Sequence, residues 1–383
     1  MIASLALVLL LNASLFSQTR IDGRIVDKST SEPLVGVNVF FSKTTWGATT
    51  DDNGFYTLTN NPAGQYELVV SMIGYEVERE QMIIKSDERF TLNFRLQSRA
   101  ILMSEINVTA KTDRVWKKSY DRFRRSFLGT SKNCESCLIL NEFVLTFDDN
   151  GQYFKAKASQ PIRIENPELG YRITYILDDF EIDGTEVRYA GDHYYESMSS
   201  KSKRQLKKWE KNRKKAYNGS LRHLLKTLTD RFDLRFTFNE GMIIQNDNWN
   251  SIAGRKKDPL VREGFSISMN KKDLFGTSLI IEEEYKPLRS DTLVFPGATF
   301  EQPLLSFEGR MMVVYMKESP ELAYMMENDS PSSYKQTSYL LLRADSVNYD
   351  RDGRYFEPYM IEQQGYSSWE RIGDQLPFNY EQE

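Results

Sequence analysis

Two histidines and two cysteines are the whole supply of imidazole and thiol groups in this 383-residue chain. Any imidazole or thiol chemistry must be built around them. His193-Tyr-Tyr-Glu196 has the His-x-x-Glu spacing of two zinc ligands, and His223 is the available third. A zinc hydrolase needs three protein ligands, an open water position and a nearby base. The intervening tyrosines suit a strand edge or loop equally well, so His193, Glu196 and His223 are weak metal candidates only. Cys134 and Cys137 stand in Asn-Cys-Glu-Ser-Cys. In an exported protein they would form a local disulfide or a pair of structural thiols. A redox centre would place Cys-x-x-Cys at the head of a helix that follows a strand. Here the pair follows a predicted helix and precedes the strand-like Leu138–Phe147.

Carboxylates give no better centre. Asp51-Asp52-Asn53-Gly54 lacks the further oxygens and closing carboxylate of a calcium loop and reads as a turn. Asp178-Asp179 and Glu282 to Glu284 are acidic clusters, but sequence alone does not set any two at the roughly 5–10 Å that glycoside hydrolysis requires. The chain has no Gly-x-Ser-x-Gly elbow, phosphate loop or dinucleotide fingerprint. The expectation is no catalytic residue, no cofactor and no metal. A hydrolase, metallopeptidase or glycosidase, with an unrecognised site in the C-terminal region is the alternative.

The most distinctive segment is basic. Lys201, Lys203, Arg204, Lys207, Lys208, Lys211, Arg213, Lys214, Lys215, Arg222 and Lys226 face one acidic residue, Glu210. Leu206, Trp209 and Ala216 form the expected buried stripe of a helix that Asn218-Gly219 breaks. Ser220 then caps a second helix, with Leu221, Leu224, Leu225 and Leu228 on one face. This helical insertion spans 199–229. Its cations are a solvated face, or else bind an acidic polymer or anionic head groups. The candidate binding residues are Lys207, Lys208, Trp209, Lys211, Arg213, Lys214 and Lys215. The net charge of −4 argues against a generic nucleic-acid binder.

The elements that would carry these groups are mostly strands. Aromatics at 13% and Tyr and Phe each above twenty copies lean towards β structure. Residues 1–17 are an apolar run ending in small residues and read as a signal peptide, although the usual Lys or Arg is missing at the start. No later segment reaches about 18 uncharged apolar residues, so no transmembrane segment is expected in the mature chain. From 18 to 98 apolar residues alternate. Ile21, Gly23 and Ile25 share a face, as do Val35, Val37, Val39 and Phe41. Tyr66, Leu68, Val70 and Met72 repeat the pattern, then Phe90, Leu92, Phe94 and Leu96. Asp51–Gly54, Asn61–Gly64 and Ser71–Tyr75 are turns.

The order Gly-Arg-Ile-Val, Pro-Leu-Val-Gly-Val-Asn-Val, Thr-Asp-Asp-Asn-Gly-Phe-Tyr and Gly-Tyr-Glu resembles the carboxypeptidase-regulatory-like domain. That is a transthyretin-like β-sandwich common in exported proteins of the Bacteroidetes cell envelope. The resemblance implies a non-catalytic accessory module. In metallocarboxypeptidases the catalytic domain precedes such a sandwich, and here the sandwich comes first. Leu102–Ala110 is similar to the segment that joins this domain to the plug of TonB-dependent receptors, but no plug or long barrel follows. Residues 99–112 read as a linker.

From 113 to 383 the chain is expected to be an α+β domain with a largely antiparallel sheet and inserted helices. Trp116, Tyr120, Phe123 and Phe127 line one face of a helix capped by Thr112 or Asp113. Tyr171–Ile182, Val187–Met198 and Trp209–Leu228 also look like a block that follows the regulatory-like domain in exported Bacteroidetes proteins of unestablished activity. The function expected is a non-enzymatic envelope protein, periplasmic or associated with the outer membrane. It would engage a partner protein, a glycan or an anionic membrane surface.

Overall fold

The structure is a computed structural model and describes residues 19–59, 62–85, 88–99, 114–239, 242–246, 248, 251, 258–270, 286–287, 293–298, 302–328, 335–355 and 357–382. The leader, the linker with its receptor-like segment, the capping Thr112 and Asp113, the start of the Asn61 turn, and Glu282 to Glu284 lie outside the described residues.

The chain forms two compact units, one of residues 1–39 and 46–99, the other of 40–45 and 100–383. β1 (Arg20–Asp27), β2 (Asn38–Phe41, whose last two residues are counted with the second unit), β3 (Gly47–Thr49), β4 (Phe55–Thr59), β5 (Gly64–Ser71), β6 (Glu78–Ile84), β7 (Arg89–Thr91) and β8 (Phe94–Leu96) make two four-stranded sheets. One runs β4-β1-β7 with β8 also on β1, the other β3-β2-β5-β6. Alternation buries Ile21, Ile25, Leu58 and Leu96 from one sheet and Val39, Tyr66, Leu68 and Val70 from the other. Val35 departs from the expected pattern and is 49% exposed, because β2 begins only at Asn38.

The expected single strand over 89–96 is two strands. Both run parallel to β1, and the pairing is interrupted where Asn93 Oδ1 accepts from Arg24 N at 2.8 Å. The interruption brings the Leu92 carbonyl against Gly23, where a Cβ would lie 1.7 Å from that oxygen. Gly23 is needed for close backbone approach. The Asp51 turn is self-contained. Asp51 Oδ1 accepts from Asn53 N and Phe55 N, and Gly54 takes φ +76°.

The second unit has two cores. In the first, a six-stranded antiparallel sheet comprises β9 (Leu138–Ile139), β10 (Leu145–Asp149), β11 (Tyr153–Ala158), β12 (Ile162–Asn166), β13 (Tyr171–Asp183) and β14 (Glu186–Ser197). α1 (Arg114–Leu128) packs Phe123 and Phe127 on it, with the Phe123 ring 4.8 Å from Phe180 and Phe127 edge-on to Tyr175. The strand-like run after Cys137 is broken by a helical turn at Glu142–Val144. Residues near the C-terminus line the end of α1, where Ile372 and Gly373 donate to the Phe127 and Leu128 carbonyls.

α2 (Lys132–Glu135) follows α1, and α3 (Lys203–Tyr217) and α4 (Leu221–Arg235) follow β14. Leu221, Leu224, Leu225 and Leu228 of α4 enter the second core, as their spacing predicts. That core covers an antiparallel sheet of Lys286–Pro287, Phe265–Asn270, Arg310–Tyr315, Gln336–Leu342 and Ile361–Gly365. No described helix is long and apolar enough to cross a membrane.

Candidate functional site

α3 starts at Ser202, whose Oγ accepts from Gln205 N at 3.3 Å, and stops at Asn218 before Gly219, which takes φ +79°. Its inner face grips the turn between β12 and β13. Trp209 Nε1 donates to the Pro167 carbonyl at 2.7 Å, and its indole lies where a Gly170 Cβ would be, 2.4 Å away. Arg213 donates to the Leu169 and Gly170 carbonyls at 2.7 and 3.2 Å and sits 4.0 Å from the Tyr171 ring centroid. Asn212 Nδ2 donates to the Glu168 carbonyl at 2.9 Å. Ala216 and Tyr217 are also buried. Leu206, expected in this stripe, is instead 45% exposed, because the turn that covers Trp209 and Arg213 stops short of the first helical turn.

With Trp209 and Arg213 held inward, geometry fixes the rest. At about 100° per residue, Lys203, Arg204, Lys207, Lys208, Lys211, Lys214 and Lys215 occupy an arc of roughly 140° on the opposite side. All seven are exposed. Lys208 Nζ reaches Glu168 Oε1 at 2.7 Å and Lys215 Nζ reaches Glu321 Oε1 at 2.6 Å. Lys203, Arg204, Lys207, Lys211 and Lys214 have no carboxylate partner among the described residues. The seven candidate binding residues sort into an inward pair, Trp209 and Arg213, two paired lysines, Lys208 and Lys215, and an outer group without a described carboxylate partner. Glu168 and Glu321 lie 40 and 106 positions from their partners and leave no local signal in the sequence.

Beside this face is a cleft of about 350 Å³ lined by Lys132, Glu135, Ser136, Glu168, Lys208, Lys211 and Asn212. Both walls are tied down. Arg124 donates to the Cys134, Glu135 and Cys137 carbonyls at the end of α2, and α3 is held by the contacts above. Ser136 Oγ is buried without a hydrogen-bond partner among the described residues.

The cysteines do not form the local disulfide that was one expectation. Both are free and buried. The Cys134 thiol donates to the Leu128 carbonyl at 2.9 Å, and Cys137 Sγ donates to the Asn133 carbonyl at 3.3 Å. Burial, reinforced by Asp374, pushes the Cys134 thiol far up and Cys137 to about 12. These thiols are structural and poor nucleophiles. Asp374 accepts from Ser131 Oγ and Asn133 Nδ2 at 2.7 and 2.9 Å. Burial is the first cause that raises Glu318, Glu370 and Asp374 from their ordinary values, Glu370 most strongly.

The three metal candidates are not brought together. His193 and Glu196 are three apart in β14, so they point to opposite faces. His193 is buried and Glu196 exposed. The His193 ring stacks 5.0 Å from Tyr175, and burial lowers it to about 3. His223 lies in α4, accepts from Gly219 N at 3.1 Å, and is held at about 4 by burial against the opposing influence of Glu263. Among the described residues no group of three or more His, Cys, Asp or Glu is arranged to hold a metal. Asp178 and Asp179 lie in β13 at a bulge, where Asp179 accepts from Tyr359 Oη at 3.3 Å.

The CarboxypepD_reg-like domain family model matches residues 21–108. The match covers the two-sheet sandwich of the first unit. Among solved structures, the chain is similar to a cohesin–X-dockerin complex of Acetivibrio cellulolyticus, at 24% identity over 20% of this chain and 52% of that one, with TM-score 0.18. It is also similar to the 5-hydroxyisourate hydrolase of Klebsiella pneumoniae, at 23% identity over 21% and 92%, TM-score 0.18. A third is the minor pilin GBS52 of Streptococcus agalactiae, at 17% identity over 22% and 46%, TM-score 0.19. The chain covers about half the length (52%) of the first of these. A comparison with curated proteins finds no match.

Proposed function

We propose that this chain is an exported, non-enzymatic binding protein of the cell envelope. Its sandwich is the accessory module, and the outer face of α3 is a docking surface for an anionic polysaccharide. The observation that supports this reading is the fixed outward arc of seven cations, five of them without a described carboxylate partner. Neighbours four apart on the arc are about 6 Å from each other, inside the roughly 8 Å screening length at physiological salt. Their fields therefore add along a face ~18 Å long. A polymer is favoured over a membrane because α3 turns Trp209, Ala216 and Tyr217 into its own domain, whereas a helix lying on a bilayer needs its apolar side for the lipid. Export rests on the apolar leader and on the envelope family that the sandwich resembles.

The test is co-sedimentation of the full chain with insoluble polygalacturonate and, separately, with anionic vesicles. Binding to the polymer that is lost in the Lys203→Gln, Arg204→Gln, Lys207→Gln, Lys214→Gln variant supports the proposal. Polymer binding unaffected by the four substitutions, or binding to vesicles alone, overturns it.

A further inference from the structure

We infer that the cleft between α2 and α3 is a subsite for a single acidic sugar residue, an inference that rests on the polysaccharide reading and gives it a chemical class. Lys132, Lys208 and Lys211 against Glu135 and Glu168 leave the lining with one net positive charge. Glu168 is already engaged by Lys208 Nζ at 2.7 Å and Asn212 Nδ2 at 3.1 Å. Lys132, Lys211 and Glu135 have no side-chain ion partner among the described residues.

A bare dianion placed at the two open ammonium groups would meet the Glu135 and Glu168 carboxylates and be repelled. A ring that carries one carboxylate and several hydroxyls matches both signs. Its single carboxylate balances the one net positive charge of the lining, facing Lys132 and Lys211, and its hydroxyl protons are donated to Glu135. Ser136 also lines the cleft, and no described group satisfies its buried hydroxyl. The cleft volume of about 350 Å³ lies at the lower end of small-ligand sites. The two tied walls mean that the shape exists before a ligand arrives. Lys211 belongs to both the cleft and the outer arc, so the subsite would anchor one residue of a chain laid along α3.

Calorimetric titration of the full chain with digalacturonate, its neutral dimethyl ester and inorganic phosphate tests the inference. Digalacturonate should bind, and the ester should bind about tenfold more weakly, as should digalacturonate to a Lys132→Gln, Lys211→Gln variant. If that pair fails to fold, Lys132→Gln alone, at an exposed side chain, should weaken binding about threefold. The outer variant Lys203→Gln, Arg204→Gln, Lys207→Gln, Lys214→Gln should lose polymer binding while still preferring digalacturonate over its dimethyl ester, since it keeps every residue of the cleft lining. No digalacturonate binding, binding indifferent to Lys132 and Lys211, or equal binding of phosphate overturns the subsite. Loss of polymer binding in the outer variant alongside any of these results leaves the docking face standing and removes only the cleft.

Discussion

The sandwich and the basic helix use polar side chains in opposite ways. In the sandwich they close backbone geometry. Asp51 Oδ1 holds two amides of its own turn, Asn93 Oδ1 stands in for a missing strand partner, and Asp27 Oδ1 accepts from Ser29 N and Thr30 N at 2.7 and 2.9 Å. In α3 the inward polar groups, Asn212 and Arg213, do the same for the β12–β13 turn, but the outer arc commits only Lys208 and Lys215. Groups already bonded within the fold have little left to offer a ligand. The contrast is the ground on which the proposed binding face is placed on α3.

The contrast can be broken most forcefully at Trp209. Trp209→Ala removes a side chain that is 5% exposed together with its bond to Pro167. It should cost about 3–5 kcal/mol by guanidinium denaturation and release the arc, so polymer binding falls with stability. A Trp209→Ala protein that keeps both stability and polymer binding would show that the inner face does not set the outer one. In the sandwich, Gly23→Ala forces a Cβ into the Leu92 carbonyl. It should cost about 2–3 kcal/mol with no effect on polymer binding by the protein that remains folded. Equal damage to binding would blur the two roles.

A smaller effect comes from the carboxylates near α1 and α3. Glu370 is raised by burial and then by Asp374, Glu318 and Glu321. With its folded pKa above its unfolded value, the native state holds the proton longer. Its contribution is therefore favourable at acid pH and lost as pH rises from about 4 through the folded value. Glu370→Gln should raise the melting temperature at pH 7 and leave it unchanged near pH 4. An equal shift at both would exclude charge burial as the cause. His193 works in the opposite sense, since its folded value of about 3 makes acid destabilising as pH falls below about 6.5.

The legible parts of the molecule were those written in neighbouring residues. Alternation marked the strands of the sandwich, and Asp51 through Gly54 marked a turn. Ser220 and four leucines marked α4, and the density of cations marked α3. Features that depend on distant groups were not legible. A period-two pattern cannot show that Asn93 will divide one strand into two, nor that a turn at 166–170 will bury Trp209 yet miss Leu206. The spacing of Cys134 and Cys137 allows either a disulfide or a pair of structural thiols, and the structure has two free thiols. Their burial depends on Leu128 and Asp374, which the motif does not contain. The apparent His-x-x-Glu ligand pair failed for a local reason, because a strand turns residues three apart to opposite faces.

The central claim is that the unpaired cations of α3 bind by charge along one face. The direct measurement is the affinity of the wild-type chain and of the Lys203→Gln, Arg204→Gln, Lys207→Gln, Lys214→Gln variant for soluble polygalacturonate over increasing NaCl. The account predicts a wild-type affinity that falls steeply with salt and a variant that is weak and nearly salt-independent. Parallel salt curves of equal affinity for the two proteins would contradict it.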